Sequence, residues 1–191
     1  MSQSELTTDD LESKSEIGTC SDCSEEGCSI NLRGMSDKIV FRPDEEIDDR
    51  SMADCVIFYS SESDDRSLGP NEVPIGDDRS ESSPLESLAI VELKNNINNP
   101  KNIEDQINGA LEFAKELLQE CDVPWRLNSF CLVVHKSSSS NASKKIRRKQ
   151  IMKNIGGDVH IFRPIPVSSG EILTEVEHWD DVNETAKQIS D

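Results

Sequence analysis

Residues 88–96 read LAIVELKNN, an apolar run that ends in a glutamate and a lysine two positions apart. Taken from Ser87 to Lys94 the run is nearly all apolar, the pattern of a strand covered on both faces. Side chains alternate across a strand, so Ile90, Glu92 and Lys94 share one face while Val91 and Leu93 share the other. Two charges at the end of such a run fall near the rim of a sheet. One reading is an exposed ion pair that contributes little. The other is half of a metal-dependent site.

The neighbouring segments supply a frame for this strand. DKIVFRP (37–43) and ADCVIFYSS (53–61) read as two further strands, the first stopped by Pro43 and the second opened by an aspartate. NPKNIEDQINGALEFAKELLQEC (99–121) predicts a helix: Ile103, Ile107, Ala110, Leu111, Ala114, Leu117, Leu118 and Cys121 recur at helical spacing. Asn102 is its expected N-cap, and Glu104 and Asp105 fall in the first turn, where the helix dipole favours negative charge. SFCLVVHK (129–136) is a fourth strand. A basic helix is expected over about 144–154, ended by Gly156 and Gly157, followed by a fifth strand in DVHIFRPIP (158–166) and a short helix in WDDVNETAKQIS (179–190). Three strands, then strand–helix–strand steps, predict an α/β fold: a central mixed β-sheet flanked by helices, with right-handed crossovers.

Composition sets the limits of that domain. Only 34% of the 191 residues are hydrophobic, so part of the chain is expected not to pack. Residues 1–34, polar, acidic and without period, are expected to be disordered or loosely attached. The domain proper is placed at 35–168, interrupted by a flexible acidic insertion at 61–86, with a tail or short helix at 169–191. No apolar run approaches the roughly 20 residues of a membrane span. The opening MSQSELTTDD lacks the basic and apolar regions of a secretory signal, so a cytoplasmic protein is expected.

The formal charge of -18 is polarised. Residues 1–92 hold 24 acidic and 7 basic side chains, and residues 93–191 hold 14 and 13. Within the second part, KSSSSNASKKIRRKQIMK (136–153) carries seven basic residues and no acidic one. Six cysteines stand at 20, 23, 28, 55, 121 and 131. Without an export signal they are expected as thiols or metal ligands rather than disulfides. Cys20, Cys23 and Cys28 have the spacing of three zinc ligands that need a fourth, for which Cys55 is a candidate. Free thiols in a loop are the alternative.

If the strand beginning at Asp54 pairs antiparallel with the one ending at Glu92, the start of one lies beside the end of the other. The two carboxylates then meet across a rung or a diagonal. Hard carboxylate oxygens suit magnesium or manganese, and an adjacent Lys94 ammonium would orient the attacking water and neutralise developing phosphate charge.

An acidic residue, a variable loop, and an apolar strand ending in E-x-K before a helix resemble the PD-(D/E)XK nuclease superfamily. The likeness runs over roughly residues 37–166. The stretches ADCVIF, IVELKNN and IEDQINGAL look closest to small prokaryotic restriction-endonuclease-like proteins with a CDFL…IELKG pattern. The resemblance implies a restriction-endonuclease-like core with Asp54, Glu92 and the Leu93 carbonyl as metal ligands, Lys94 as the catalytic lysine, and Gln106 as a polar group projecting from the helix. It also implies a further acidic residue from an N-terminal helix, which has no clear counterpart within residues 5–30.

Three functions follow as expectations. The first is a Mg2+- or Mn2+-dependent nuclease acting on DNA ahead of RNA, with Lys144, Lys145, Arg147, Arg148 and Lys149 holding the phosphate backbone. The second is the same fold without turnover, an acidic module that binds a protein partner. The third is a small zinc protein built on the cysteine cluster.

Overall fold

The strand that contains LAIVELK is the centre of the molecule, and what surrounds it is a mixed sheet. The computed structural model describes residues 6–14, 19–43, 46–47, 50–61, 84–97 and 102–179. Most of the acidic insertion and nearly all of the helix expected at 179–190 lie outside the described residues. In chain order the elements are α1 (Thr8–Lys14), β1 (Thr19–Cys20), a hairpin of β2 (Cys23–Glu25) and β3 (Cys28–Ile30), and β4 (Met35–Phe41). A two-rung hairpin of β5 (Glu46–Ile47) and β6 (Arg50–Ser51) precedes β7 (Cys55–Ser61) and β8 (Ser87–Asn96). Then come α2 (Ile103–Glu120), β9 (Asn128–Ser137), α3 (Ser140–Arg147), a hairpin of β10 (Ile151–Ile155) and β11 (Asp158–Phe162), β12 (Ile165–Ser168) and α4 (Leu173–Val176).

Six strands form one sheet in the order β1-β4-β7-β8-β9-β12. The β1, β4, β7 and β8 pairings are antiparallel, whereas β8, β9 and β12 run parallel. The expected mixed sheet flanked by helices is thus present. Its β8 is buried from Ser87 to Leu93, as a strand covered on both faces must be. Leu88 and Ile90 pack with α2, while Ala89, Val91 and Leu93 pack on the other side with the β2–β3 hairpin and α4. Every apolar position predicted for the α2 stripe from Ile103 to Leu118 is buried, and each such Leu or Ile contributes about 1.5–3 kcal/mol. Among the described residues, no helix is long and apolar enough to cross a membrane.

The sheet side of α2 lies unusually close to the segment that leads into β7. A Cβ on Gly109 would stand 2.2 Å from the Ser51 carbonyl oxygen, so only glycine permits this approach. Arg50 Nη1 binds both oxygens of Glu116 at 2.9 Å, fastening the same segment further along the helix. Gly109→Ala is expected to lower stability by about 1–3 kcal/mol, since backbone rather than a flexible side chain must move; denaturant unfolding measures this, and an unchanged midpoint would show that the two elements part freely.

Several expectations are corrected. Asn102 occupies the N-cap position of α2 but with φ 68°, and its side chain makes no capping hydrogen bond. The basic segment is not one helix over 144–154. Its helix, α3, begins earlier, capped by the Ser139 side chain, and ends at Arg147. Residues 151–162 form a hairpin whose register closes Ile155 on Asp158. Gly156 and Gly157, both with positive φ, are its two-residue turn, the conformation that a right-twisted hairpin demands, rather than a helix stop. The strand of the main sheet is therefore Ile165–Ser168, not 158–166.

The N-terminal segment also differs from the loose tail expected over 1–34. Leu11 of α1 is fully buried, and so is Cys23 of the β2–β3 hairpin. Cys23 forms a disulfide with Cys55, across 6.1 Å between Cα atoms. This overturns the expectation of thiols or metal ligands rather than disulfides for these two cysteines, and with it the Cys20/Cys23/Cys28 zinc set. Cys28 is buried against the Val134 carbonyl, 3.4 Å away, and Cys20 lies 3.1 Å from the Asp22 carbonyl. The bridge closes a separation of 32 residues, which in a chain-entropy treatment stabilises the fold by about 3–4 kcal/mol.

Candidate active site

The register of β7 on β8 decides whether the two acids meet. Cys55 pairs with Val91 and Val56 with Ile90, so one further step of the ladder sets Asp54 opposite Glu92. Asp54 Oδ2 accepts a hydrogen bond from the Leu93 backbone N–H at 2.5 Å, which fixes that carboxylate at the end of the pairing. Alternation then turns Asp54 and Glu92 to the same side as Val56 and Ile90, the side that α2 covers.

Glu92 is fully buried, and its carboxylate forms an ion pair with the Lys94 ammonium two residues on. The exposed rim pair that the sequence leaves open is thus excluded for the glutamate. Besides that ion pair, the Asp54 backbone N–H is the further group that steadies its charged form. Burial pushes its carboxyl up to about 8; the Asp54 charge adds to the rise and Lys94 counters it. Burial acts on Lys94 in the opposite sense, but the hydrogen bond and charge of Glu92, with the charges of Asp54 and Glu25, outweigh it and raise its pKa. Lys94 therefore stays protonated at neutral pH, and its side chain is 33% exposed.

Asp54, Lys94 and Gln106 line an open cleft of about 940 Å³, together with Glu25, Arg42 and Asn95. Glu92 does not line it; its ion-pair partner Lys94 does. Gln106, on the first turns of α2, is half-buried, and its Oε1 has no hydrogen-bond partner among the described residues. The close contact at Gly109, one turn along, holds this part of α2 against the approach to Asp54.

No protein-family model matches the chain, and no curated protein or solved structure matches it either.

Glu25 is the residue that sequence reasoning missed. It ends β2 and lines the cleft with Asp54, and its carboxyl is raised chiefly by a hydrogen bond to Asp54 that only its protonated form can donate. It comes from a hairpin, not a helix, and its turn at Glu26 and Gly27 has positive φ at both positions. Nothing in GTCSDCSEEGCS distinguishes Glu25 from Glu26; only the Glu-Gly turn signal was there to be read. Arg42, following β4, faces the same acids.

The basic residues are near but not inside the cleft. Lys144, Lys145, Arg147 and Arg148 are exposed, on or just beyond α3, while Ala142 and Ile146 are buried. Lys149 Nζ lies 2.8 Å from Glu104 on the first turn of α2, which ties this segment to the helix that carries Gln106. His135 has an ordinary place on β9, and burial lowers its pKa.

The donor set can be weighed against a divalent cation. Among the described residues, no three His, Cys, Asp or Glu side chains form a group that could hold a metal ion by themselves. Magnesium does not require one, because it keeps several waters and is bound through one or two carboxylates and substrate phosphate. Two neighbouring carboxylates, Asp54 and Glu92, beside a lysine fit that chemistry; thiolate or imidazole ligation does not fit here.

Proposed function

We propose that the chain is a Mg2+- or Mn2+-dependent phosphodiesterase of nucleic acid, acting on DNA ahead of RNA, on a restriction-endonuclease-like variant of the α/β core. One observation carries the reading: Glu92, wholly buried, is ion-paired to Lys94, which lines an open cleft together with Asp54. A buried ion pair is weak support for stability, since desolvation offsets its attraction. Strongly perturbed carboxyls with a charge partner in a cleft are instead a mark of functional sites.

Asp54 and Glu92, with the Leu93 carbonyl, are the groups that would hold the cation. Bound there, it would lower the pKa of a water and offset charge on the phosphate. Lys94, protonated and a third exposed, moves from Glu92 towards the cleft, orients the attacking water and meets the charge that builds on the phosphate oxygens. The Gln106 carbonyl oxygen accepts a hydrogen bond from that water or from a nucleotide hydroxyl. Lys144, Lys145, Arg147, Arg148 and Lys149 receive the flanking backbone, so binding weakens as salt rises.

The direct test is nicking of supercoiled plasmid in Mg2+ by wild type and by Asp54→Asn. Wild type is expected to nick and the variant to lose about a hundredfold or more. Equal rates, or none in either, would remove the enzyme reading and favour the acidic binding module, for which the net charge of -18 speaks.

A further inference from the structure

The β2–β3 hairpin lines the cleft with Glu25, Glu26 and Cys28 and is bolted to the sheet two residues before Glu25. Cys23 and Glu25 lie on the same face of β2, and Cys55 immediately follows Asp54. The Cys23–Cys55 disulfide therefore joins the two strands whose ends set Glu25 and Asp54 together in the lining of the cleft. Hairpins of this size have little stability of their own. The turn has separate moorings: Lys136 Nζ donates to the Glu26 carbonyl, and Asn95 Nδ2 donates to the Glu26 carboxylate. These hold the tip, while the disulfide holds the base of the strand, so Glu25 is set from both sides.

We propose that the Cys23–Cys55 disulfide is a positioning device of the active site, holding Glu25 against Asp54 and thereby making cation binding depend on the redox state of the chain. The inference rests on the cation site proposed above and names its regulation. Glu25 is a positioning residue here, acting through Asp54: carboxylates that ligate a metal are themselves held by hydrogen bonds, and losing such a partner costs affinity. Reduction by a dithiol breaks the S–S bond, delivers two electrons and two protons to give the Cys23 and Cys55 thiols, and leaves the reductant as its own disulfide. Both cysteines are buried, so this attack needs the short hairpin to lift from the sheet, the same displacement that carries Glu25 away.

Mn2+ affinity, followed by electron paramagnetic resonance of the free ion, tests this on four samples: wild type oxidised, wild type reduced with dithiothreitol, Glu25→Ala oxidised and Glu25→Ala reduced. Thiol counting confirms reduction, and Cys23→Ala/Cys55→Ala replaces it if the bond resists. Reduction of wild type is expected to weaken Mn2+ binding about tenfold, Glu25→Ala to weaken it equally, and the two together to do no more than either. Unchanged affinity on loss of the bond, or losses that multiply, overturns the inference while the site reading stands. Absence of Mn2+ binding by oxidised wild type overturns the site reading itself. Loss of the native far-UV spectrum in both the reduced chain and the double variant makes the bond a general stability element and also overturns the inference.

Discussion

Glu92→Gln is expected to make the cation-free chain more stable at pH 8 to 9 while abolishing cleavage. The folded chain holds the Glu92 proton up to about pH 8, against an ordinary value of 4.5. A carboxyl raised in the fold contributes stability that is fully present below about pH 4.5 and is lost as pH rises through about 8. Each pH unit between those two values is worth about 1.4 kcal/mol, so the loss across this window is on the order of 3–5 kcal/mol at most. Lys94 does not flatten the slope. Its pKa is also raised, and a raised lysine contributes stability that is present below its ordinary value of 10.5 and lost only above it. Glutamine keeps the shape and carries no charge, so thermal melts of the variant should be nearly flat from pH 5 to 9 where wild type declines. Parallel pH profiles for the two proteins would show that Glu92 ionises in the fold without penalty. Plasmid cleavage by the variant should fall about a thousandfold, the equivalent of the several kcal/mol that cation-mediated charge stabilisation supplies.

Lys94→Met separates the lysine from the carboxylates. Mn2+ binding should be retained, because both candidate ligands remain and the competing ammonium is gone, while cleavage falls by about 10²–10⁴. The stability cost should itself depend on pH. At pH 5 Glu92 is protonated and the variant should melt near wild type. Without Lys94 the Glu92 carboxyl rises further and keeps its proton at pH 9, where wild type has released it, a further loss of about 1.4 kcal/mol at most. Calorimetry at the two pH values checks the second statement and Mn2+ titration the first. A variant that loses Mn2+ binding and cleavage together would make Lys94 a structural support for the site rather than part of its chemistry.

Both expectations begin in the stretch 88–96, and the reasons it is legible are local. The strand alternates with a period of two, so Glu92 and Lys94 had to share a face with Ile90. The α2 stripe has a helical period, so its buried side is readable down to Leu118. Antiparallel neighbours place a strand's start beside the following one's end, which sets Asp54 against Glu92. By contrast, KKIRRKQIMK suits a helix by propensity, and only the Gly156–Gly157 turn together with the burial of Ile151, Ile155 and Phe162 makes its second half part of a hairpin.

The N-terminal segment departs from its composition for a related reason. It is too polar for a core of its own, yet Leu11, Cys23, Cys28 and Ile30 find burial against a core that other segments build. Pairing among six cysteines cannot be deduced from their spacing, so the Cys23–Cys55 bridge belongs to the tertiary structure, and so does the arrival of Glu25 at Asp54.

The amino-acid order by itself determined the sheet-and-helix plan, the face on which Glu92 and Lys94 lie, and their meeting with Asp54, because each follows from periodicity within a strand or helix and from neighbours in the chain. Only the tertiary structure decided that Glu92 is wholly buried, that Glu25 joins Asp54 in the lining of the cleft, and that a disulfide ties its strand to that of Asp54. Those depend on contacts between segments tens of residues apart, where desolvation and packing act and no local pattern carries the information.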